Sequence, residues 1–122
     1  MQIEKICKNG VNIAVINSPE QLICDTQSAL DLMMSVKYEA DTQRVVIAKH
    51  NITEDFFILS TGLAGEILQK FVNYQIKIAI YGDYAHYTSK PLHDFIYESN
   101  QGQNVFFVTS QEEAIEKLAQ AG

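Results

Sequence analysis

The sequence predicts an α/β fold: an N-terminal β-hairpin, then alternating helices and strands around a mixed, mostly parallel five-stranded sheet. Three observations predict it. Asn9-Gly10 separates two short strand-like runs, a strong signal for a type I′ hairpin. Beyond the hairpin, helical periodicity alternates with short apolar runs, which implies right-handed crossovers between parallel strands. The stretch from Phe56 to Asp83 holds one whole example: a hydroxyl-and-glycine turn, an amphipathic helix, and a buried strand that stops at Gly82-Asp83. With 122 residues the chain is one domain, 1–122, long enough to bury a real core.

The elements follow in order. Ile3 to Lys8 and Val11 to Asn17 are the hairpin strands, antiparallel because a two-residue turn cannot join parallel neighbours. Ser18-Pro19-Glu20-Gln21 reads as a helix start, with Ser18 as cap, Pro19 at the first helical position and Gln21 completing a capping box. A second helical stretch starts at Asp25 and carries Leu30, Met33 and Met34 as core filler, with Lys37 at the next step of that stripe. Arg44 to Lys49 is the third strand. Thr53-Glu54-Asp55 opens a single helical turn that inserts Phe56 and Phe57 into the core.

The next helix runs from about Thr61 to Asn73. Ala64, Ile67, Leu68 and Phe71 fall at i, i+3, i+4 and i+7 and form one buried stripe. Ile76 to Tyr81 is the fourth strand. Ser89 caps a further helix with Pro91 in its first turn and Leu92, Phe95, Ile96 and Ser99 inward; it ends at Asn100-Gln101-Gly102. Asn104 to Val108 is the fifth strand. Ser110 and Glu113 form a capping box for the last helix, with Ala114, Ile115 and Leu118 inward. Val45-Val46-Ile47 and Val105-Phe106-Phe107-Val108 are continuous apolar runs, as expected of strands covered on both faces.

Composition narrows the function. The net charge is −6 and Arg44 is the only arginine, so the clustered cations that nucleic acid or an anionic membrane requires are missing. No apolar run reaches the length of about 20 residues that a membrane span needs. Met1 to Lys5 contains an acid and no apolar segment, unlike a secretory leader. The expected location is the cytoplasm, where Cys7 and Cys24, outside any C-x-x-C spacing, stand as reduced, semi-buried thiols.

In open α/β sheets ligands bind beyond the carboxyl ends of the strands. That rule collects Asn17 and Ser18; Lys49, His50 and Asn51; Gly82, Asp83, Tyr84 and His86; and Thr109 and Ser110. Ser60, Thr61 and Gly62 join them at the entry to the central helix, where unpaired N–H groups could hold an anion. The alternative is that Ser60 or Thr61 only caps the helix, while Gly62 and Gly65 let it pack tightly. Asp83, His86 and His50 are the acid/base or metal candidates. The alternative is that Asp83 braces its own turn and His86 is a surface residue. Walker, dinucleotide-binding, H-E-x-x-H and G-x-S-x-G motifs are missing, and no cofactor is expected. Tyr81, Tyr84 and Tyr87 cluster beside the Gly-Asp loop and wall either a pocket or a subunit contact. Glu98 and Asn100 end their helix, where an acid opposes the dipole; Lys70 is a candidate ion-pair partner.

Phe56-Phe57 through Phe71, Asn73-Tyr74, Gly82-Asp83 and Asp94-Phe95-Ile96-Tyr97-Glu98-Ser99-Asn100 together resemble the signature of a bacterial domain-of-unknown-function family. Phe57-Ile58-Leu59-Ser60-Thr61-Gly62-Leu63 also resembles the F-x-D-S-S/T-G-L turn of STAS domains, the fold of anti-sigma-factor antagonists. The helix and strand that follow stand where the STAS pattern has them. That resemblance implies a single STAS-like domain and places the antagonists' phosphorylated serine at Ser60, although Leu59 replaces the motif's aspartate. It also implies helices mostly on one side of the sheet. The other face, or the adjoining hairpin, would then be covered by a homodimer. The expected function is a regulatory protein-interaction or small-ligand-binding module acting through Ser60, Thr61, Gly62, Asp83 and Tyr84, its partner a protein or a small anionic ligand. The competing expectation is a small enzyme using Asp83, His86 and His50.

Overall fold

The computed structural model describes residues 1–122 and has the predicted architecture. Strands β1 (Gln2–Lys8), β2 (Val11–Asn17), β3 (Arg44–Ala48), β4 (Lys77–Tyr81) and β5 (Val105–Val108) lie side by side in chain order. The β1–β2 pair is antiparallel and the others are parallel. Asn9 and Gly10 both adopt positive φ, 53° and 80°, as a type I′ turn requires.

Helices α1 (Thr26–Glu39), α2 (Leu63–Asn73) and α3 (Lys90–Gln101) cover one face, and α4 (Gln111–Gln120) covers the other. Alternate strand residues serve the two layers. Ala14, Ile16, Val45, Ile47, Ile78, Ile80 and Phe107 face the three-helix side. Ile13, Val15, Val46, Ala79, Phe106 and Val108 face Ala114, Leu118, Ala119 and Ala121 beside α4. The continuous apolar runs are thus explained within the chain, since α4 supplies the second cover. The open face that called for a homodimer there does not exist.

Three sequence expectations need correction. Ser18 to Gln21 form no helix. Instead the buried Asn51 holds this segment as a loop: its Nδ2 donates to the carbonyls of Ser18 (2.9 Å) and Glu20 (2.7 Å), and its own carbonyl accepts from Leu22 and Ile23. The tertiary bonds outweigh a local capping signal. The buried stripe of α1 is Ala29, Leu32, Met33 and Val36, so Leu30 and Met34 sit at its margin and Lys37 is exposed. Asp25 is the N-cap of α1, exchanging bonds with Ser28 in a capping box. Cys7 and Cys24 are free but exposed rather than semi-buried.

Helices α3 and α4 keep their predicted starts, whereas α2 begins at Leu63, after a 3₁₀ turn that holds Thr61, with Gly62 and no side chain as its cap. Ser89 accepts from the Leu92 N–H and Ser110 from the Glu113 N–H. Glu113 reaches back one residue further than a capping box requires, to Thr109. Between β3 and α2 the chain makes three short 3₁₀ turns, Lys49–Asn51, Glu54–Phe57 and Leu59–Thr61. The second of them buries Phe56 and Phe57. No helix is long and apolar enough to cross a membrane.

The sheet's two edges differ. The side chain of Asn100, on the last turn of α3, accepts from the Phe107 N–H (2.7 Å) and donates to the Phe107 carbonyl (3.0 Å). It occupies the outer side of β5 as a neighbouring strand would. The outer edge of β1 has no such partner in the sheet order.

Candidate functional site

The carboxyl ends of β3 and β4 deliver two loops to one rim, and the 3₁₀ turns before α2 stand beside them. Two depressions open there. The first, about 370 Å³, is lined by Ala48, Lys49, His50, Tyr81, Gly82, Asp83 and His86. The second, about 400 Å³, runs between Phe57–Ser60 and the segment His86–Ser89 with Pro91 and Leu92. His86 lines both, so Ser60 and Asp83 reach a common surface through it.

The wall between the depressions is a clasp that sequence reasoning missed. Lys49 Nζ lies 4.9 Å from the Phe57 ring centre and 4.8 Å from that of Tyr87, over both faces. It is 3.2 Å from Glu54 Oε1, and Glu54 Oε2 accepts from the Tyr87 hydroxyl at 2.5 Å. Burial opposes the charge on Glu54. The hydrogen bonds from Tyr87 and Lys49 and the lysine's charge outweigh it, holding the carboxyl below its ordinary value. Burial, then the bond to Glu54, pushes the Tyr87 phenol up; burial does the same to Tyr84. Both hydroxyls are spent as donors, Tyr87 to Glu54 and Tyr84 to the Ile80 carbonyl. Gly82 is part of the same construction, because a Cβ there would sit 2.6 Å from the Lys49 Cβ. A lysine directly after a buried strand, opposite a strand-ending glycine, was the available signal.

The predicted residues divide into committed and free. Thr61 is committed: its hydroxyl bonds back to the carbonyls of Asp55 and Ile58 and accepts from the Leu63 N–H. Gly62 supplies a left-handed φ of 77°, and nothing crowds it or Gly65 within 4 Å, so tight packing explains neither. Asp83 Oδ1 accepts from the Ala85 N–H at 2.8 Å, bracing its own turn. Tyr84 is packed among Phe57, Tyr87 and Phe107, and its hydroxyl donates to the Ile80 carbonyl. Tyr81 joins the opposite, α4-side layer. His50 Nε2 lies 3.0 Å from the Ser18 carbonyl. Glu98 forms no ion pair with Lys70; the ion pairs are Lys8–Glu116, Lys49–Glu54 and Lys90–Asp94.

Ser60 and His86 are the free ones. Ser60 is exposed on its 3₁₀ turn, and His86 rests on the Tyr87 ring, centre to centre 4.1 Å. Although His50, Asp83 and His86 line one depression, no hydrogen bond joins any two of them. Nor does any group of three or more His, Cys, Asp or Glu side chains gather closely enough to hold a metal ion.

The family described as Domain of unknown function (DUF4180) matches residues 8–118. The chain belongs to that family. No curated protein and no solved structure matches it. In this DUF4180 chain the matched span contains the whole rim, from Ala48 to Leu92.

Proposed function

We propose that this DUF4180 chain is a STAS-like regulatory module of the bacterial cytoplasm that works by contact with a protein partner. The contact surface is the rim of Ser60, Thr61, Gly62, Asp83 and Tyr84, with His86 at its centre. One observation carries the reading: Thr61 braces the Leu59–Thr61 turn through the Asp55 and Ile58 carbonyls and the Leu63 N–H, yet the neighbouring Ser60 hydroxyl is exposed and holds nothing. A side chain that the fold does not use is available for recognition. The STAS-like part is supported by the Phe57–Leu63 turn followed by α2 and β4. Because Leu59 replaces the aspartate of that motif, the reading rests on the surface and not on a phosphorylation switch. The two free, exposed thiols suit a reducing compartment.

Site-specific photo-cross-linking in the native cell tests it. A photoreactive residue at position 60 or 86 is expected to give one discrete protein adduct, and at position 103, at the far end of the sheet, none. No adduct from position 60, or the same adducts from position 103, would overturn the reading.

A second reading has its own support. The groove beside Ser60 is about 400 Å³ and half apolar, with the hydroxyls of Ser60, Thr88 and Ser89 along it, a composition suited to a small ligand. Native mass spectrometry of the purified protein would then show added mass, lost in Ser60→Trp. The enzyme alternative has less behind it, since Asp83 and His50 already bond within the chain.

A further inference from the structure

We propose that β1 is a self-recognition edge: two copies pair β1 with β1, antiparallel, about a two-fold axis through Ile6. The two sheets then join into one. Three observations lead there. First, β1 is the free edge of the sheet, while Asn100 occupies the other edge at β5. Second, β1 runs seven residues in unbroken register with β2, without a bulge or proline, so it offers a regular row of outward N–H and C=O groups. Third, its charges favour a single register.

A two-fold axis normal to the sheet keeps each face continuous. Residues that meet across it therefore share a face, even numbers with even and odd with odd. An axis through Lys5 sets that lysine against its own copy, and an axis through Glu4 does the same with two carboxylates. Like charges directly opposite are destabilising. An axis through Ile3 leaves only the first five residues paired, and an axis through Cys7 runs Lys5 against Asn9 of the turn; no opposite charges meet in either. An axis through Ile6 places Glu4 opposite Lys8 of the second copy, twice, on either side of an Ile6–Ile6 contact. Ile6 is half-buried against the α4-side layer, and its copy would complete that cover. Lys8 already holds Glu116 of α4 at 2.6 Å, so Glu4 of the second copy would extend an existing ion pair into a network. Charges on an edge strand usually turn other strands away. Here the same charges admit one partner, a second copy of this chain in one alignment.

Light scattering on the full chain at high micromolar concentration is expected to give the mass of two chains. Glu4→Lys, which places like charges opposite Lys8, is expected to give the mass of one, with an unchanged far-UV circular dichroism spectrum. As an independent check, Ile6→Cys in a Cys7→Ser, Cys24→Ser background is expected to form a disulfide-linked dimer on mild oxidation. Glu4→Cys in that background is expected to stay unlinked. A monomeric wild type, a dimer that survives Glu4→Lys, or an Ile6→Cys variant that does not cross-link would each overturn the proposal.

Discussion

The two ends of the sheet use their polar side chains differently. At the amino ends of the strands the polar side chains hold the fold together. The Arg44 guanidinium donates to the carbonyls of Leu118 and Ala121 at the end of α4, the Thr42 hydroxyl to the Asn12 carbonyl, and the Lys77 ammonium to Gln103 and Asn104. Burial and the neighbouring Arg44 push the Lys77 amine down. A depression of about 390 Å³ opens there; Thr42 and Arg44 in its wall are engaged, while the Lys37 and Asp41 side chains beside them form no ion pair. At the carboxyl ends the clasp of Lys49, Glu54 and Tyr87 is similarly engaged, yet Ser60 and His86 beside it are not. The volumes of the depressions do not separate the two ends. What separates them is that at the carboxyl ends one exposed side chain, His86, lines two depressions at once.

Substitutions can break or sharpen this contrast. The largest effect is expected at the amino end, where Arg44→Ala removes two charge-assisted bonds from the carbonyls that end α4. Such bonds contribute roughly 1.5–3 kcal/mol each when well shielded; Arg44 is only half-buried, which weakens both, so a loss of about 2–3 kcal/mol in all should appear in urea unfolding. Hydrogen exchange should speed up first in α4. Unchanged protection in α4 would mean that the apolar layer alone holds the helix.

Next is Gly82→Ala, the exception at the carboxyl end, where a structural demand reaches into the rim. The added carbon meets the Lys49 Cβ, and the backbone must move. A cost of about 1–3 kcal/mol is expected from overpacking, again by urea unfolding. A neutral result would show that the strand ends shift freely and that the clasp is loose.

Glu54→Gln should cost less, at most about 1 kcal/mol, because the carboxylate is largely exposed. Its pH dependence is the sharper readout. A carboxyl held below its ordinary value contributes stability above the normal glutamate range and loses it as pH falls through the lowered value. The gap between wild type and variant, measured at successive pH values, should therefore be widest near neutrality and close in acid. A gap independent of pH would remove the charge from the explanation.

The smallest effects are expected at the free residues. Ser60→Ala and His86→Ala should leave stability within about 0.5 kcal/mol of wild type, as for surface positions without structural bonds. A larger loss for Ser60→Ala would make it a structural residue and would remove the support for the proposed contact surface.

Much of the architecture was legible because it rests on local chemistry. Asn9-Gly10 demands a left-handed pair, and Ser89 and Ser110 cap the helices they precede. The 3.6-residue stripe of α2 appears as read. Readings failed where distant parts of the chain decided. Asn51 is about thirty residues from the carbonyls it binds, and nothing near Ser18 betrays it. The phase of α1 slipped because Met33 fits either stripe, and tertiary packing chose Ala29, Leu32 and Val36. At the rim the carboxyl-end rule located Lys49, Asp83 and His86, but the engaged groups could not be told from the free ones. That distinction depends on which hydroxyl or ring nitrogen finds a carbonyl in three dimensions, as Thr61 does and Ser60 does not.

The amide of Asn100 has one further consequence. With its hydrogen bonds spent on Phe107, it acts as a chain terminator for sheet growth on that side. A further strand could not bond at Phe107 without displacing this amide, whereas no side chain guards the hairpin edge in this way.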